Sequence, residues 1–272
     1  MPALQEILMA SSIVVSICVL IYASWKDYQS REVSNMVWIV WAPIALVLTL
    51  PQILLYNQVN LLFFGISVGV TFGLALLLFY AGGFGGADSK ALMCIALALP
   101  FAPLLLVQPL IMPASPTSQM IFPITIFGNA VLFAAASCIY MLLRNLIWRQ
   151  KTKAQLFAGL LASESWSKKL LVLITGYKMN IEKVKAKWHI FPLEDINDSY
   201  VDLPRKLVVV PKEEGREQIL QRLSDAVDQG KIDSYILATP GLPMLIFVTL
   251  GLVVAVFGGD LVWLLVRTVV GA

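Results

Sequence analysis

The distribution of charged residues constrains this chain more than any other feature. Residues 1–147 contain only eight charged side chains, whereas residues 148–240 contain 27 and the last 32 residues contain two. The charged fraction of the whole chain is 14%, well below the roughly 25% of soluble domains. This deficit argues against an ordinary soluble enzyme. The sequence predicts a membrane protein with one polar insertion.

Six apolar segments are long enough to cross a bilayer, for which about 20 residues are needed. They are 8–25, 37–56, 61–80, 91–108, 122–143 and 242–265. The first segment lacks a preceding basic region, so we interpret it as a retained helix and not as a cleaved signal peptide. We therefore predict an all-α polytopic membrane protein with six transmembrane helices and a small cytoplasmic α+β insertion before the last helix.

The charge pattern predicts three regions. They are residues 1–147, with five transmembrane helices, residues 148–240, a soluble insertion, and residues 241–272, the last helix. Within the insertion, the pattern predicts a strand at Lys206–Val210, an amphipathic helix at Glu213–Gln229 and a second strand at Lys231–Leu237. Residues 157–187 alternate apolar and basic stretches, which is typical of a segment near an acidic membrane surface. Aromatic residues are too few and unpatterned there for a nucleic-acid interface.

The basic residues also predict the orientation in the membrane. If Arg144 extends toward the nearby interface, nineteen of the twenty lie on one side of the predicted bilayer, and only Arg267 lies on the other. By the positive-inside rule that side is cytoplasmic. We therefore expect a multi-pass protein of the plasma membrane, with both termini outside and the insertion in the cytoplasm.

Two aspartates are the leading chemical candidates. Asp27 and Asp88 are the only aspartates in the first five predicted helices and their loops, and each lies at the cytoplasmic end of an apolar helix. Two carboxylates held close together share one proton, so one can activate water while the other donates a proton. This chemistry needs no metal and no cofactor, and we expect neither. The alternative is that both are ordinary interfacial residues.

Other chemical groups are sparse. His189 has no partner at metal-binding spacing, and the three cysteines form no paired motif. Asp260 lies near the far end of the last segment, where an interfacial or capping role is expected. Lys90 either lowers the pKa of Asp88 or anchors its helix at the headgroups.

Four glycines precede Asp88 within a short loop, at Gly82, Gly83, Gly85 and Gly86. Glycine loses much conformational freedom on ordering, so a cluster of four needs a reason. A backbone that pairs with an extended substrate, as in strand addition, is one reason. We therefore predict that these four glycines bind substrate. A flexible hairpin is the alternative.

These motifs resemble a known family. Trp25-Lys26-Asp27, then Arg31-Glu32-Val33-Ser34-Asn35, and later Gly85-Gly86-Ala87-Asp88, resemble the GxGD aspartyl proteases. More narrowly they resemble the archaeal preflagellin and type IV prepilin peptidases, and Pro240-Gly241-Leu242-Pro243 resembles the proline-rich stretch before their last helix. Ala87 departs from the strict motif, which has glycine there; the archaeal members tolerate a small residue.

The resemblance implies six transmembrane helices, catalytic Asp27 and Asp88, and removal of a short basic leader from preflagellin-like or prepilin-like precursors at the cytoplasmic face. Glu32 and the Glu194–Asp195 pair are candidates to hold that leader, or else are solvated charges. The bacterial enzymes' C-x-x-C pair and methyltransferase activity are not expected, because the chain lacks those cysteines.

Three other interpretations stay open. A proton-coupled transporter would use the two aspartates as proton sites, but it should show ionisable groups at mid-membrane and internal repeats. A scaffold protein would bind partners through the insertion. A presenilin-like protease would use similar chemistry within a substrate's transmembrane helix. The oligomeric state is not predicted.

Overall fold

The computed structural model describes residues 2–56, 60–111, 114–196, 205–209, 215–241 and 243–271. The chain forms two compact units. The first consists of Met1–Ala134 and Pro243–Ala272, and the second of Ala135–Leu242. The helices are α1 (Pro2–Ser30), α2 (Asn35–Tyr56), α3 (Asn60–Tyr80), α4 (Gly86–Ala98), α5 (Pro116–Met120), α6 (Phe122–Thr152), α7 (Trp166–Thr175), α8 (Ile181–Lys185), α9 (Arg216–Asp228), α10 (Met244–Phe257) and α11 (Leu261–Val270).

Four helices of the described chain, α1, α2, α3 and α6, are long and apolar enough to cross a membrane. Helices α10 and α11 form a fifth span if the two are counted together as one broken span, with a bend of 68° between them. The predicted class of polytopic helical membrane protein is confirmed. Segment 91–108, however, is not one continuous helix: α4 ends at Ala98, and Pro100 disfavours the helical conformation at Leu99, whose φ is −137°. The irregular chain that follows continues to the C-terminal end of α10, where the Leu110 N–H donates to the Phe257 carbonyl.

The short helix α4 lies at the centre of the first unit. It packs against α1, α2, α3 and α10, and Ala91, Leu92 and Ile95 are completely buried. Small residues make up much of its sequence, which lets neighbouring helix backbones approach closely. The core of this unit therefore forms around α4.

The buried end of α4 needs hydrogen-bond partners, since unsatisfied carbonyl groups are costly away from water. The Thr49 hydroxyl of α2 donates to the Ala98 carbonyl at 2.9 Å, and the Ser67 hydroxyl of α3 donates to the Pro100 carbonyl at 3.0 Å. Two hydroxyl side chains on neighbouring helices thus stabilise the point where the predicted fourth span stops.

The bend between α10 and α11 depends on Asp260. Its side chain caps α11 by accepting from the Trp263 N–H, and it also accepts from the Ser115 hydroxyl at 2.6 Å. Asn129 of α6 contacts both sides of the break, donating to the Gly259 carbonyl and accepting from the Leu261 N–H. The capping role predicted for Asp260 is confirmed, and its side chain is buried.

The second unit is a small α+β fold on the C-terminal part of α6. Its strands are β1 (Tyr177–Asn180), β2 (Ile190–Pro192), β3 (Glu194–Ile196), β4 (Arg205–Leu207) and β5 (Tyr235–Pro240). An antiparallel sheet has the order β1-β5-β2, and β3 pairs with β4. Helix α9 packs its apolar face against β2 and β3.

The predicted elements of the insertion exist, with changed bounds. Strand β4 begins one residue early and stops at Leu207, and position 210 lies outside the described residues. The predicted helix 213–229 begins at Arg216. The second strand begins at Tyr235, not at residue 231, because Lys231 lies in the turn that closes α9. Its N–H donates to the Ala226 carbonyl, and Gly230 adopts a φ of 67°.

The contact between α10 and α6 generates a testable prediction. A Cβ on Gly251 would lie 2.5 Å from the Ile126 carbonyl oxygen and 2.9 Å from the Ala130 nitrogen. We expect Gly251→Ala to lower stability by about 1–3 kcal/mol, since backbone atoms cannot yield as a side chain does. Thermal unfolding of the detergent-solubilised protein measures this effect. Gly65→Ala is the matched control, because a Cβ there meets nothing within 4 Å; equal melting of the two variants would contradict the prediction.

Candidate active site

Asp27 is positioned by the buried face of α1. Leu20 and Ala23 of this helix are completely buried in the core. The Ser24 hydroxyl lies 2.8 Å from the Thr249 hydroxyl of α10. Asp27 follows within one helical turn and is half-buried, so its carboxylate is held at the end of a well-packed helix.

Asp88 lies in the first turn of α4, where its carboxylate accepts a hydrogen bond from the Gly85 N–H at 3.0 Å. A Cβ at Gly85 would come within 3.1 Å of the same carboxylate oxygen. Glycine at position 85 therefore leaves the space in which the Asp88 carboxylate lies. An acidic residue at this position also suits the positive end of the helix dipole.

The glycine loop is held by its own hydrogen bonds. Gly82 adopts a φ of 74°, which favours glycine. The N–H groups of Gly83 and Phe84 both donate to the Leu78 carbonyl. The Phe84 ring is buried and meets Phe127 edge-on. These contacts order the loop, whereas Gly82, Gly83 and Gly85 remain exposed.

The two aspartates interact electrostatically. The pKa of Asp88 is raised to about 6. Burial is the main cause, and the negative charge of Asp27 contributes to the increase. The hydrogen bond from Gly85 and the positive charge of Arg31 act in the opposite direction. The fold thus brings Asp27 and Asp88, 61 residues apart in the sequence, into one electrostatic site.

Arg31 is the residue of this site that sequence reasoning missed. It follows α1 with a φ of 58°, and its N–H donates to the Asp27 carbonyl at 3.0 Å. Its charge acts on both carboxylates. The spacing of four residues from Asp27 was a usable signal, because such residues are neighbours on a helix.

An open groove with a volume of about 670 Å³ lies next to the site. Its lining includes Arg31 and Ala87, the residue directly before Asp88, but neither aspartate. Its other charged residues are Lys26 and Glu32. Glu32 is therefore the only one of the three acidic candidates for leader binding that lines a cavity beside the aspartates.

The other acidic candidates are not available to a leader. Glu194 is completely buried and pairs with Lys178 and Arg205, and Asp195 pairs with Arg222 at 2.7 Å. The burial of Glu194 opposes its ionisation, but the nearby cations hold its pKa below the usual value. The alternative interpretation of Glu194 and Asp195 as solvated charges is therefore wrong, because both side chains are buried. Both stabilise the second unit.

Lys90 does not contact Asp88. Its ammonium group donates to the Asn35 side chain at 2.7 Å, which joins α4 to the start of α2. No cluster of three or more His, Cys, Asp or Glu side chains that could hold a metal occurs within the part of the chain that the structure describes.

Comparison with known proteins identifies the family. The family model described as "Type IV leader peptidase family" matches residues 14–143, which include both aspartates, and "Archaeal Peptidase A24 C-terminus Type II" matches residues 168–261. The chain belongs to the type IV leader peptidase family. The resemblance read from the motifs is thereby confirmed, and membership makes the chain a protease that cleaves leader peptides.

Two relatives of this leader peptidase are preflagellin peptidases. The protein of Methanococcus voltae is 26% identical over 250 residues, which is 89% of this chain and 92% of the relative. The protein of Methanococcus maripaludis is 22% identical over 173 residues, which is 62% of this chain and 68% of the relative. The similarity to the first relative therefore includes both units.

The pKa of Asp88 generates a prediction about stability. The unfolded carboxyl ionises near 3.8, but the folded one ionises near 6, so the folded state binds more protons between these values. Stability is then greatest below the unfolded pKa, and the contribution of Asp88 is lost as the pH rises through the folded pKa. We expect the unfolding temperature of the wild type, relative to that of Asp88→Asn, to fall across this window.

The exposed Asp228 provides the control for this measurement. Asp228→Asn removes one negative charge without touching the site, so its unfolding temperature should follow that of the wild type at every pH. If Asp88→Asn also follows the wild type throughout the window, the raised pKa is disproved.

Proposed function

We propose that this leader peptidase is an aspartic endopeptidase in which Asp27 and Asp88 activate water. The observation that carries the proposal is that the fold places the two carboxylates within range of each other's charge: burial is the main cause of the raised pKa of Asp88, and the charge of Asp27 adds to it. Repulsion between the two charges disfavours the doubly ionised state, so one carboxyl is protonated while the other is ionised. Such a state contains both a base and an acid.

In this mechanism the ionised Asp27 takes a proton from water while the oxygen attacks the peptide carbonyl carbon. The protonated Asp88 donates its proton to the carbonyl oxygen, and a neutral tetrahedral intermediate forms. The amide nitrogen then takes the proton from Asp27 as the C–N bond breaks, and one proton of the intermediate returns to Asp88. The pair ends in its starting state.

The substrate class follows from the family and its relatives. We propose precursors of the preflagellin or prepilin class, since both relatives are named preflagellin peptidases. We propose that Glu32 contacts the basic leader, since it is the acidic residue of a groove that Lys26 and Arg31 also line. A precursor anchored by its own apolar helix would present its leader at the membrane surface. We propose that the site lies at the cytoplasmic surface, that the insertion 148–240 is in the cytoplasm, and that both termini lie outside.

The glycines would act on the same substrate. Gly82, Gly83, Gly85 and Gly86 are proposed to let an extended leader approach the loop backbone. The N–H groups of Gly83 and Gly85 already donate within the chain, and the Gly85 carbonyl accepts from Ser89. The carbonyl groups of Gly82 and Gly83 are therefore proposed as the partners of the leader. Pairing through carbonyls keeps Asp88 in its observed position.

The first test replaces each aspartate in turn. Asp27→Asn and Asp88→Asn should each reduce cleavage of a preflagellin-like precursor in membranes by about 100-fold or more, since a proton relay is lost. In Asp88→Asn the amide oxygen of the new side chain can still accept from the Gly85 N–H, so the helix end survives. Precursor and product are separated on a gel, with expression levels matched.

The exposed Asp228→Asn is again the matched control and should cleave normally. Either site variant cutting near the wild-type rate would refute the aspartate pair. A wild type that leaves every such precursor intact would refute this substrate class and favour the transporter hypothesis.

The second test concerns pH. Cleavage should decline as the pH rises through about 6, because Asp88 loses the proton that it donates. Arg31→Gln should move this decline to higher pH, since the positive charge of Arg31 lowers the pKa of Asp88. Lys90→Gln removes a nearby cation that bonds to Asn35 instead, and it should leave the decline in place. Equal shifts in both variants, or a shift in neither, would exclude this role for Arg31.

A further inference from the structure

The second unit contains a basic cleft that the peptidase chemistry does not use. Two adjoining cavities, of about 550 and 730 Å³, share Trp148, Lys178 and Tyr235. The rings of Trp148 and Tyr235 lie 6.0 Å apart between centroids. We call the combined surface the basic cleft. Its cationic residues are Arg144, Lys178, Lys183, Lys187, Arg205 and Lys231.

The positive charge of the basic cleft is only partly compensated. Lys178 and Arg205 both pair with the buried Glu194. The remaining four cations form no ion pair within the described ranges. Glu182 and Asp233 are the acidic residues of the lining, and Glu182 pairs with Lys185 outside the cleft. A ligand of this surface should therefore carry negative charge.

The cationic side chains of the cleft are hydrogen-bond donors as well as charges. The Trp148 Nε1 and the Arg205 Nε are enclosed by the protein, so the donors available to a ligand are those of the cleft's other cations. The Arg144 guanidinium is fixed nearby, 3.7 Å from the centre of the Tyr177 ring. A phosphate group offers both the charge and the oxygen acceptors that these residues lack.

The position of the cleft along α6 indicates the source of the phosphate. Arg144 directly follows the apolar segment 122–143 of this continuous helix. Trp148 lies roughly 6 Å further along the helix axis, at a rise of about 1.5 Å per residue. Tryptophan and basic side chains at this distance from a span are typical of the headgroup level. The exposed Trp188, next to Lys187, adds an aromatic side chain beside the cleft.

We propose that the basic cleft binds the phosphate headgroup of an anionic phospholipid in the membrane that α6 crosses. Arg144, Lys183 and Lys187 attract the charge of the lipid phosphate and donate hydrogen bonds to its oxygens. A basic leader peptide does not fit, because the cleft would repel it. This site concerns the second unit and does not depend on the aspartate mechanism.

The test measures contact between lipid and Trp148 in the full-length protein. The chain is reconstituted in equal mixtures of phosphatidylglycerol and phosphatidylcholine, with bromine near the headgroup of one lipid or the other. Bromine quenches tryptophan fluorescence on contact, and subtraction of the Trp148→Phe signal isolates Trp148. We expect stronger quenching when the anionic lipid carries the bromine.

The double variant Lys183→Gln/Lys187→Gln should reduce this preference by about fivefold for each charge removed. Both side chains are exposed, so folding should survive. Lys206→Gln is the control and should keep the preference, because Lys206 is an exposed lysine of the second unit outside the cleft and pairs with Asp195, which does not line it.

Three results would overturn the proposal. These are equal quenching by the two lipids in the wild type, an unchanged preference in the double variant, and an equal loss in Lys206→Gln. Removal of the preference by inorganic phosphate alone would assign the cleft to a free anion and would also overturn the lipid assignment.

Discussion

Burial of a short helix, α4, organises the first unit. Four helices pack around α4, although it has only 13 residues, fewer than a helix needs to cross a bilayer by itself. Small side chains allow this packing, and hydroxyl groups of Thr49 and Ser67 satisfy the carbonyls where the helix stops. Because its C-terminal end is held in this way, its N-terminal end is also fixed. Asp88 lies at that end.

The environment of Asp88 follows from this packing. The helix dipole and the Gly85 N–H favour the ionised carboxylate, and Arg31 does the same, but burial opposes ionisation more strongly and raises the pKa to about 6. The two influences bring the carboxyl close to neutral pH, where general acids work best. A capping residue and a proton donor are thus compatible roles for one side chain, because the cap uses an oxygen lone pair.

The second unit is stabilised by buried polar side chains. Asn145 of α6 donates to the Gly176 carbonyl at 2.7 Å and accepts from the Lys178 N–H, which joins the helix to β1. Glu194 is completely buried, and it accepts from the Leu237 N–H as well as from two cations. These contacts explain why acidic residues that resemble leader-binding groups in the sequence are unavailable. They also orient Lys178 and Arg205 along the basic cleft.

The sequence alone determined the membrane class, the polar insertion, the two aspartates and the family, because charge spacing and short motifs are local properties. The tertiary structure decided that segment 91–108 is a short helix followed by irregular chain, since the hydroxyl partners of its carbonyls come from two other helices. It decided that Glu194 and Asp195 are buried ion pairs, which depends on cations far away in the chain. It also added Arg31 to the site. Its sequence position was visible, but its effect on Asp88 exists only where α1 and α4 meet.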